Sequence, residues 1–489
     1  MLLPHFFAPP SPTFSSRREF LARAGGGCGL LALADLLARA ETKTAGASPA
    51  ARPVNPLAPK PPHFPAKAKN VIWLFMNGGP SHVDTWDYKP ELAKRDGQEL
   101  KGFDKNTGFF TDQVGPVMKS PYKFARHGQS GAWVSEIFPN MAKHVDQMAF
   151  IHSCWTDSNN HSPALFKINT GMTRMGFPCV GAWVTYGLGS AADNLPAFVA
   201  MYDTLGRGIP KGHSQNWGSG FLPSIYQGTA LKPQGDPIDD MKRSPDMTPD
   251  AQRAQLDLLA KLNKRNLEQH PDPDLAARIE SFELAYRMQT AAPETLDVTR
   301  EPLAIQKLYG LDNPKCTHFA KQCLMARRLV ERGVRFVQIY SGGMENERSW
   351  DGHQNLVANH TQFAGETDIP IAALLTDLKQ RGLMDDTLVI WGGEFGRLPL
   401  VQKGGTGRDH NPHAFTYWLA GGGVKGGVHH GATDDIGHKA VIDRVSVNDL
   451  HATFLHLLGL DHKRLTYRFN GRDFRLTDVA GVVVKEILA

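Results

Sequence analysis

The chain has 489 residues, 41% hydrophobic and 21% charged, with a formal net charge of +5. That length and ordinary globular composition allow a large buried core, as one big α/β domain or two smaller ones, and exclude global disorder. Residues 1–47 hold five cations against three acids, so the remainder carries about +3, too little for a nucleic-acid-binding surface.

The N-terminus reads as a targeting segment. Ser16-Arg17-Arg18-Glu19-Phe20-Leu21 is a twin-arginine signature followed by the weakly apolar run Ala22–Leu37. Ala38-Arg39-Ala40 and Ala45-Gly46-Ala47 both fit a small-x-small cleavage site. Gly25-Gly26-Gly27 and Asp35 make the run too short and too polar to span a bilayer comfortably. Cys28 lies inside the apolar run rather than after it, which argues against a lipoprotein. Residues 1–47 are therefore expected to be an export signal read by the Tat machinery. The mature chain is expected to be periplasmic or secreted, with no stable transmembrane span. Residues 48–68, rich in Pro and Ala, read as a linker, and residues 69–489 as a single domain.

Within that domain the apolar runs Asn70–Met76, Met148–His152, Ala197–Tyr202, Val334–Tyr340, Thr387–Trp391 and Phe415–Leu419 predict strands. Helical spacing over Ala251–Gln269, Leu275–Thr290, Lys321–Arg332 and Ile371–Arg381 predicts helices between them. Near-continuous apolar strands alternating with helices specify a mostly parallel central sheet with helices on both faces. Gly206–Asp250, rich in Gly, Pro and polar residues, reads as a long surface excursion. Cys154, Cys179, Cys316 and Cys323 match no zinc pattern. Cys316 and Cys323, seven apart on a helix, would stand roughly 10 Å from each other, too far to bridge.

Asn77, His152, Ser341, Gly392 and Gly421 each close a predicted strand, and in a parallel sheet such ends share one edge, where ligands bind. After the first strand, Gly78-Gly79-Pro80-Ser81-His82-Val83-Asp84 offers Asp84 as a metal ligand or as a turn or helix cap, with His82 beside it. After the second, Asn160-His161-Ser162-Pro163 leads into a helix whose N-terminus can seat an anion beside His161 or Ser162; Ser162 could equally be the cap. Asp351-Gly352-His353 in extended conformation points two ligands to one face. Behind Thr387–Trp391, Glu394 and Arg397 and then Asp409-His410 and His413 leave the strand end in what read as flexible loops. Carboxylates and imidazoles without thiolate suit Zn, Mn, Fe, Ca or Mg in a hydrolytic role. Arg397 is either a fork for phosphate or sulfate oxygens or a surface arginine. His429-His430, in a Gly-rich turn, is left out of the site.

Taken together, the run Leu74–Asp87, Asn160-His161-Ser162-Pro163-Ala164, Trp350-Asp351-Gly352-His353, Gly392-Gly393-Glu394-Phe395-Gly396-Arg397, Gly407-Arg408-Asp409-His410 and Trp418–Gly427 resembles the DUF1501 family of exported bacterial proteins. The resemblance covers roughly residues 69–480 and places the chain with the alkaline phosphatase/sulfatase-like superfamily. It implies an alkaline phosphatase-like α/β fold, metals at strand C-termini and hydrolysis of phosphate or sulfate esters. Glu394-Phe395-Gly396 falls where sulfatases have Asp-His-Gly, so Phe395 stands where a histidine ligand is expected. Asp351 and His353 resemble the Asp…His ligand pair at shorter spacing, and His410 the last histidine ligand. The segment from His161 to Gly171 resembles the sulfatase signature, but His161 takes the place of the nucleophilic cysteine and Leu165 that of the arginine, which argues against formylglycine chemistry.

The expectation is an exported metal-dependent hydrolase of phosphate or sulfate esters, acting through a metal-activated hydroxide. One or two divalent ions (Zn, Mn, Ca or Mg) would be held by Asp84, Asp351, His353, Glu394 and His410. His161, as a metal ligand or general acid/base, Ser162 as a nucleophile and Arg397 as a stabiliser of the anionic transition state are the catalytic candidates, and His82 and His413 the substrate-binding ones. Sulfated or phosphorylated polysaccharide is among the anionic ester substrates to consider. The alternative is a degenerate, non-catalytic member acting as a binding or assembly protein at the cell envelope.

Overall fold

The computed structural model describes residues 55–231, 238, 243–269 and 273–489. The expected export signal lies outside them. The elements used below are, in chain order, β1 (Asn70–Met76), α1 (His82–Thr85), β2 (Val114–Val117), β3 (Met148–Trp155), α2 (His161–Thr170), α3 (Val180–Leu188), β4 (Phe198–Met201), β5 (Thr229–Leu231), α4 (Pro249–Gln269), α5 (Pro273–Leu296) and α6 (Thr317–Glu331). They continue with β6 (Phe336–Ser341), α7 (Leu356–Gln380), β7 (Thr387–Gly392), β8 (Gly396–Gln402), β9 (Arg408–Asn411), β10 (Phe415–Ala420), β11 (Val428–His430), β12 (Val445–Ser446) and α8 (Val447–Leu457).

Among the described residues nine strands build the central sheet, in the order β11-β3-β10-β7-β1-β6-β4-β5 with β12 also paired to β3. β1 runs parallel to β6 and β7, and β4 parallel to β5 and β6. β10 is antiparallel to both its neighbours, β3 and β7. The strands read as unbroken apolar runs because both faces are covered, and successive side chains enter opposite cores. Ile72, Leu74 and Met76 of β1 join α6 and α7 on one face. Val71, Trp73 and Phe75 join α2, α3 and α8 on the other. Each such fully buried side chain contributes about 1.5–3 kcal/mol.

Two differences from the sequence reading bear on the site. Because β10 is reversed, Gly421 lies at the opposite edge of the sheet, where the Gly422 N–H donates to Met384 O (3.0 Å) just ahead of β7. It is the start of β10 that faces the edge shared by the other strand ends. Gly396–Gln402 and Arg408–Asn411, read as loops, are buried strands of a small antiparallel sheet in which β8 lies between β9 and β2, with Arg397 opposite His410.

Residues 55–68, read as linker, run along the domain: the N–H groups of Lys67 and Ala68 donate to Leu457 O, and Ala68 is buried. The described part of the 206–250 stretch buries Trp217, Leu222 and Tyr226 and contributes edge strand β5. All four cysteines of the described residues are buried and free. No helix among the described residues is long and apolar enough to cross a membrane.

Candidate metal centre

The parallel strands deliver their ends to one edge, and two of those loops, together with β9, supply a tight cluster. His161 is the first residue of α2, positioned by Asn160, whose side chain caps the helix by accepting from Ser162 N–H. Asp351 and His353 lie in the loop after β6, and His410 lies in β9. One ligand atom from each of these four buried residues falls within 4.8 Å of the others.

The outward nitrogen of every histidine is tied to an oxygen. The Nδ1–H of His161 donates to Glu394 Oε1 (2.7 Å), that of His353 to Gln402 Oε1 (2.6 Å), and that of His410 to the Asn159 carbonyl (2.6 Å). An oxygen that only accepts fixes the proton on Nδ1 and turns each Nε2 lone pair inward, the arrangement that orients metal-binding imidazoles. The two inward nitrogens of His353 and His410 then face each other at 2.9 Å, with Asp351 Oδ1 at 3.0 and 3.3 Å from them. His161 Nε2 is buried and 3.1 Å from Asp351 Oδ2, the carboxylate it pairs with when the imidazole is protonated. Facing lone pairs are costly unless a cation lies between them. Three imidazoles and one carboxylate therefore fit a divalent ion of the zinc type.

Electrostatics agree. Burial pulls the His161 imidazole down, but the Asp351 and Glu394 carboxylates outweigh it and raise its pKa to about 9. Burial pushes the Asp351 carboxyl up, and the charges of His161 and Arg397 override it and hold it well below the usual range. His410 is driven well below the ordinary imidazole value, first by burial and then by the neighbouring His161 charge. The ion-free protein thus stores a proton on His161 at neutral pH, and an incoming ion must displace it. The stability this proton gives the ion-free state is complete below the ordinary histidine value and is lost as pH rises through about 9. Ion affinity is accordingly expected to climb with pH up to that point. Calorimetric titration of chelator-stripped protein with Zn²⁺ at pH 7.5, in buffers of differing ionisation enthalpy, should show release of about one proton per ion. Zero release would contradict the assignment.

The remaining sequence candidates have other roles. Glu394 stands behind His161 rather than among the ligands, accepting also from Gly78 N–H (3.0 and 3.1 Å). Asp84 is no ligand: it is locked in a fully buried pair with Arg408 (Nε–Oδ2 2.7 Å), which outweighs the effect of burial and lowers its pKa. Neither carboxylate is left to hold a second ion. Arg397 is neither a surface residue nor a substrate fork. It is fully buried, and its guanidinium donates to Gly79 O (2.9 Å), Gly78 O, Arg408 O and Asp351 Oδ1 (2.7 Å). It orients Asp351. His82 is buried with Nε2 on Gly437 O (2.7 Å), and His413 packs edge-on to His438, so neither joins the cluster. The cap expected of Ser162 is supplied by Asn160. Phe395 is buried with its ring 4.9 Å from that of His161 and 4.5 Å from that of His410, an apolar wall for both ligands.

Gly78 makes these contacts possible. Its φ is +104°, and a Cβ would come within 2.8 Å of Ser349 Oγ and the backbone nitrogens of Trp350 and Asp351. Gly78→Ala is expected to cost about 2–3 kcal/mol in a denaturant titration, since the crowding atoms are mostly backbone and cannot give way. A change below 0.5 kcal/mol on that same titration would refute the close packing.

Gln402, Asn159 and Arg408 are functional residues to which the sequence does not point. An amide, a backbone carbonyl and an arginine inside a quoted motif carry no metal signal of their own. A second cluster, Asp203, His318 and Glu366, also has ligand-type spacing. There the Arg207 guanidinium already bridges the two carboxylates (2.8 Å to Glu366 Oε2), so no ion is required.

The model of the family described as "Protein of unknown function (DUF1501)" matches residues 68–488. The chain belongs to the DUF1501 family. No curated protein matches it. Among solved structures it is similar to the lipoteichoic acid synthase LtaP from Listeria monocytogenes (9% identity, 88% of this chain and 80% of that one, TM-score 0.33). It is similar also to the PsFucS1 sulfatase from Pseudoalteromonas sp. (12%, 80% and 68%, 0.34) and the phosphonate monoester hydrolase SpPMH from Silicibacter pomeroyi (11%, 80% and 73%, 0.33). At such TM-scores the likeness decides nothing about chemistry. The chemistry of this DUF1501 protein rests on its own residues.

Proposed function

We propose that this DUF1501 protein is an exported hydrolase of phosphate or sulfate esters dependent on one divalent ion, held by His161, Asp351, His353 and His410. The observation that carries this reading is the inward turn of three histidine Nε2 atoms around Asp351, each fixed from behind by an oxygen. A divalent ion bound there supplies positive charge to an anionic ester and acidifies water toward neutral pKa. The chain's own groups do the rest. Glu394, Gln402 and Asn159 hold the imidazoles in one tautomer, Arg397 fixes Asp351, and Phe395 excludes water from one side. Export rests on Ser16–Leu21.

One observation favours the binding-protein reading: none of the four ligand residues is more than 8% exposed. A screen of metal-loaded protein with 4-nitrophenyl phosphate, bis(4-nitrophenyl) phosphate and 4-nitrophenyl sulfate separates the two. Turnover of at least one, lowered by about 100-fold or more in His161→Ala, is the expected result. Equal background rates for both proteins would favour a binding role.

A further inference from the structure

Two adjacent phenylalanines sit at the metal centre without belonging to any core. Phe109 and Phe110 are 43% and 36% exposed, in a stretch otherwise rich in Lys, Asp and Gly. Single exposed apolar residues are common, but a contiguous pair beside a polar site is a mark of recognition. The rings lie edge-to-face, 4.9 Å apart at 88°. Each touches a different ligand: Phe109 lies 5.6 Å from the His410 ring, and Phe110 5.4 Å from that of His353. Each ring therefore meets a buried imidazole while more than a third of each residue stays exposed to solvent.

The loop bearing them is anchored, and by the groups that orient the ligands. The Phe110 N–H donates to Asp409 Oδ2 (2.8 Å), and the Lys403 N–H to Gln113 O (2.6 Å). Asn159, whose carbonyl holds His410, also donates its side-chain amide to Gly108 O (2.8 Å). Gln402, whose Oε1 holds His353, donates its amide to the Gln113 side chain. A side chain at Gly108 would collide with the Asp409 carboxylate, so the seat is close-fitting.

Resting on the hydrolase reading above, we infer that Phe109 and Phe110 form a ring-binding subsite at the mouth of the metal centre, selecting esters whose alcohol carries a ring. The shared chemistry is a flat ring with an apolar face, aryl or pyranose, laid on the exposed surface of the phenylalanines while the anionic group enters the cluster. Small alkyl esters would gain nothing from this pair.

The test is calorimetric binding of methylphosphonate, phenylphosphonate and a C-glucosyl phosphonate, each repeated as the sulfonate. The full-length protein is loaded with the ion it purifies with, and its metal content is measured alongside. The wild type is expected to favour one of the ring compounds over the methyl compound by about tenfold or more. In Phe109→Ala/Phe110→Ala that ratio should collapse toward unity, and whichever ring gains in the wild type identifies the source. A wild-type ratio near one with measurable binding overturns the subsite and leaves the hydrolase reading standing. A high ratio unmoved by the double substitution also overturns the subsite alone. No binding of any probe overturns both.

Discussion

Asp351→Ala is expected to purify with less than about a tenth of an equivalent of divalent ion per chain, where the wild type carries about one. Asp351 is the anionic member of the cluster and the only one in contact with all three imidazoles. The same change should cost about 3–5 kcal/mol of stability, because it strands the fully buried Arg397 guanidinium without its carboxylate. His410→Ala separates the two effects. It removes a ligand but leaves the pair of Asp351 and Arg397 intact, so ion should be lost with a smaller drop in stability. Elemental analysis beside denaturant titration reads both quantities, and unchanged ion content in either variant would defeat the metal centre.

Asp84→Asn should behave in the opposite way, keeping the ion while losing about 3 kcal/mol. The carboxylate it removes is paired with Arg408, whose other donors reach the carbonyls of Leu398 and Met118. Asp84 has its pKa held below its ordinary 3.8 by that arginine against the effect of burial. Its contribution is therefore complete above that value and is lost only as pH falls below it. The stability gap between wild type and variant should persist across neutral pH and narrow only in acid. Should the variant instead lose its metal, Asp84 would be a ligand after all and the single-ion centre would be wrong.

The strands were legible because a doubly covered parallel strand is apolar throughout, and Asn70–Met76 carries no other interpretation. Strand direction was not legible: nothing in Phe415–Ala420 records that it runs backwards, and Gly421 was accordingly placed at the wrong edge. Of the proposed ligands, Asp351, His353 and His410 can be named from side-chain type and position after a strand. His161 was recognisable as a site residue but not distinguishable as ligand or acid/base. Its role depends on Glu394, 233 residues away. For Asp84, Glu394 and Arg397 the sequence offers residue type alone. What each does is set by partners that spacing cannot reveal: Arg408, the Gly78 N–H and a ring of backbone carbonyls. Phe109-Phe110 did leave a trace, two large apolar residues in a charged stretch, but only the fold shows what they touch.

The separations involved bear on the order in which the chain folds. Arg408 meets Asp84 across 324 residues, and Glu394 meets Gly78 across 316. Contacts of such span close late, after local helices and neighbouring strands have formed. β8 and β9 are accordingly expected to dock late, and they bring Arg397, Arg408 and His410 at once. An ion-binding geometry therefore does not exist in any intermediate lacking the final hundred residues. Ion capture should trail backbone consolidation in a refolding time course, making the bound ion a reporter of the completed chain rather than a seed for it.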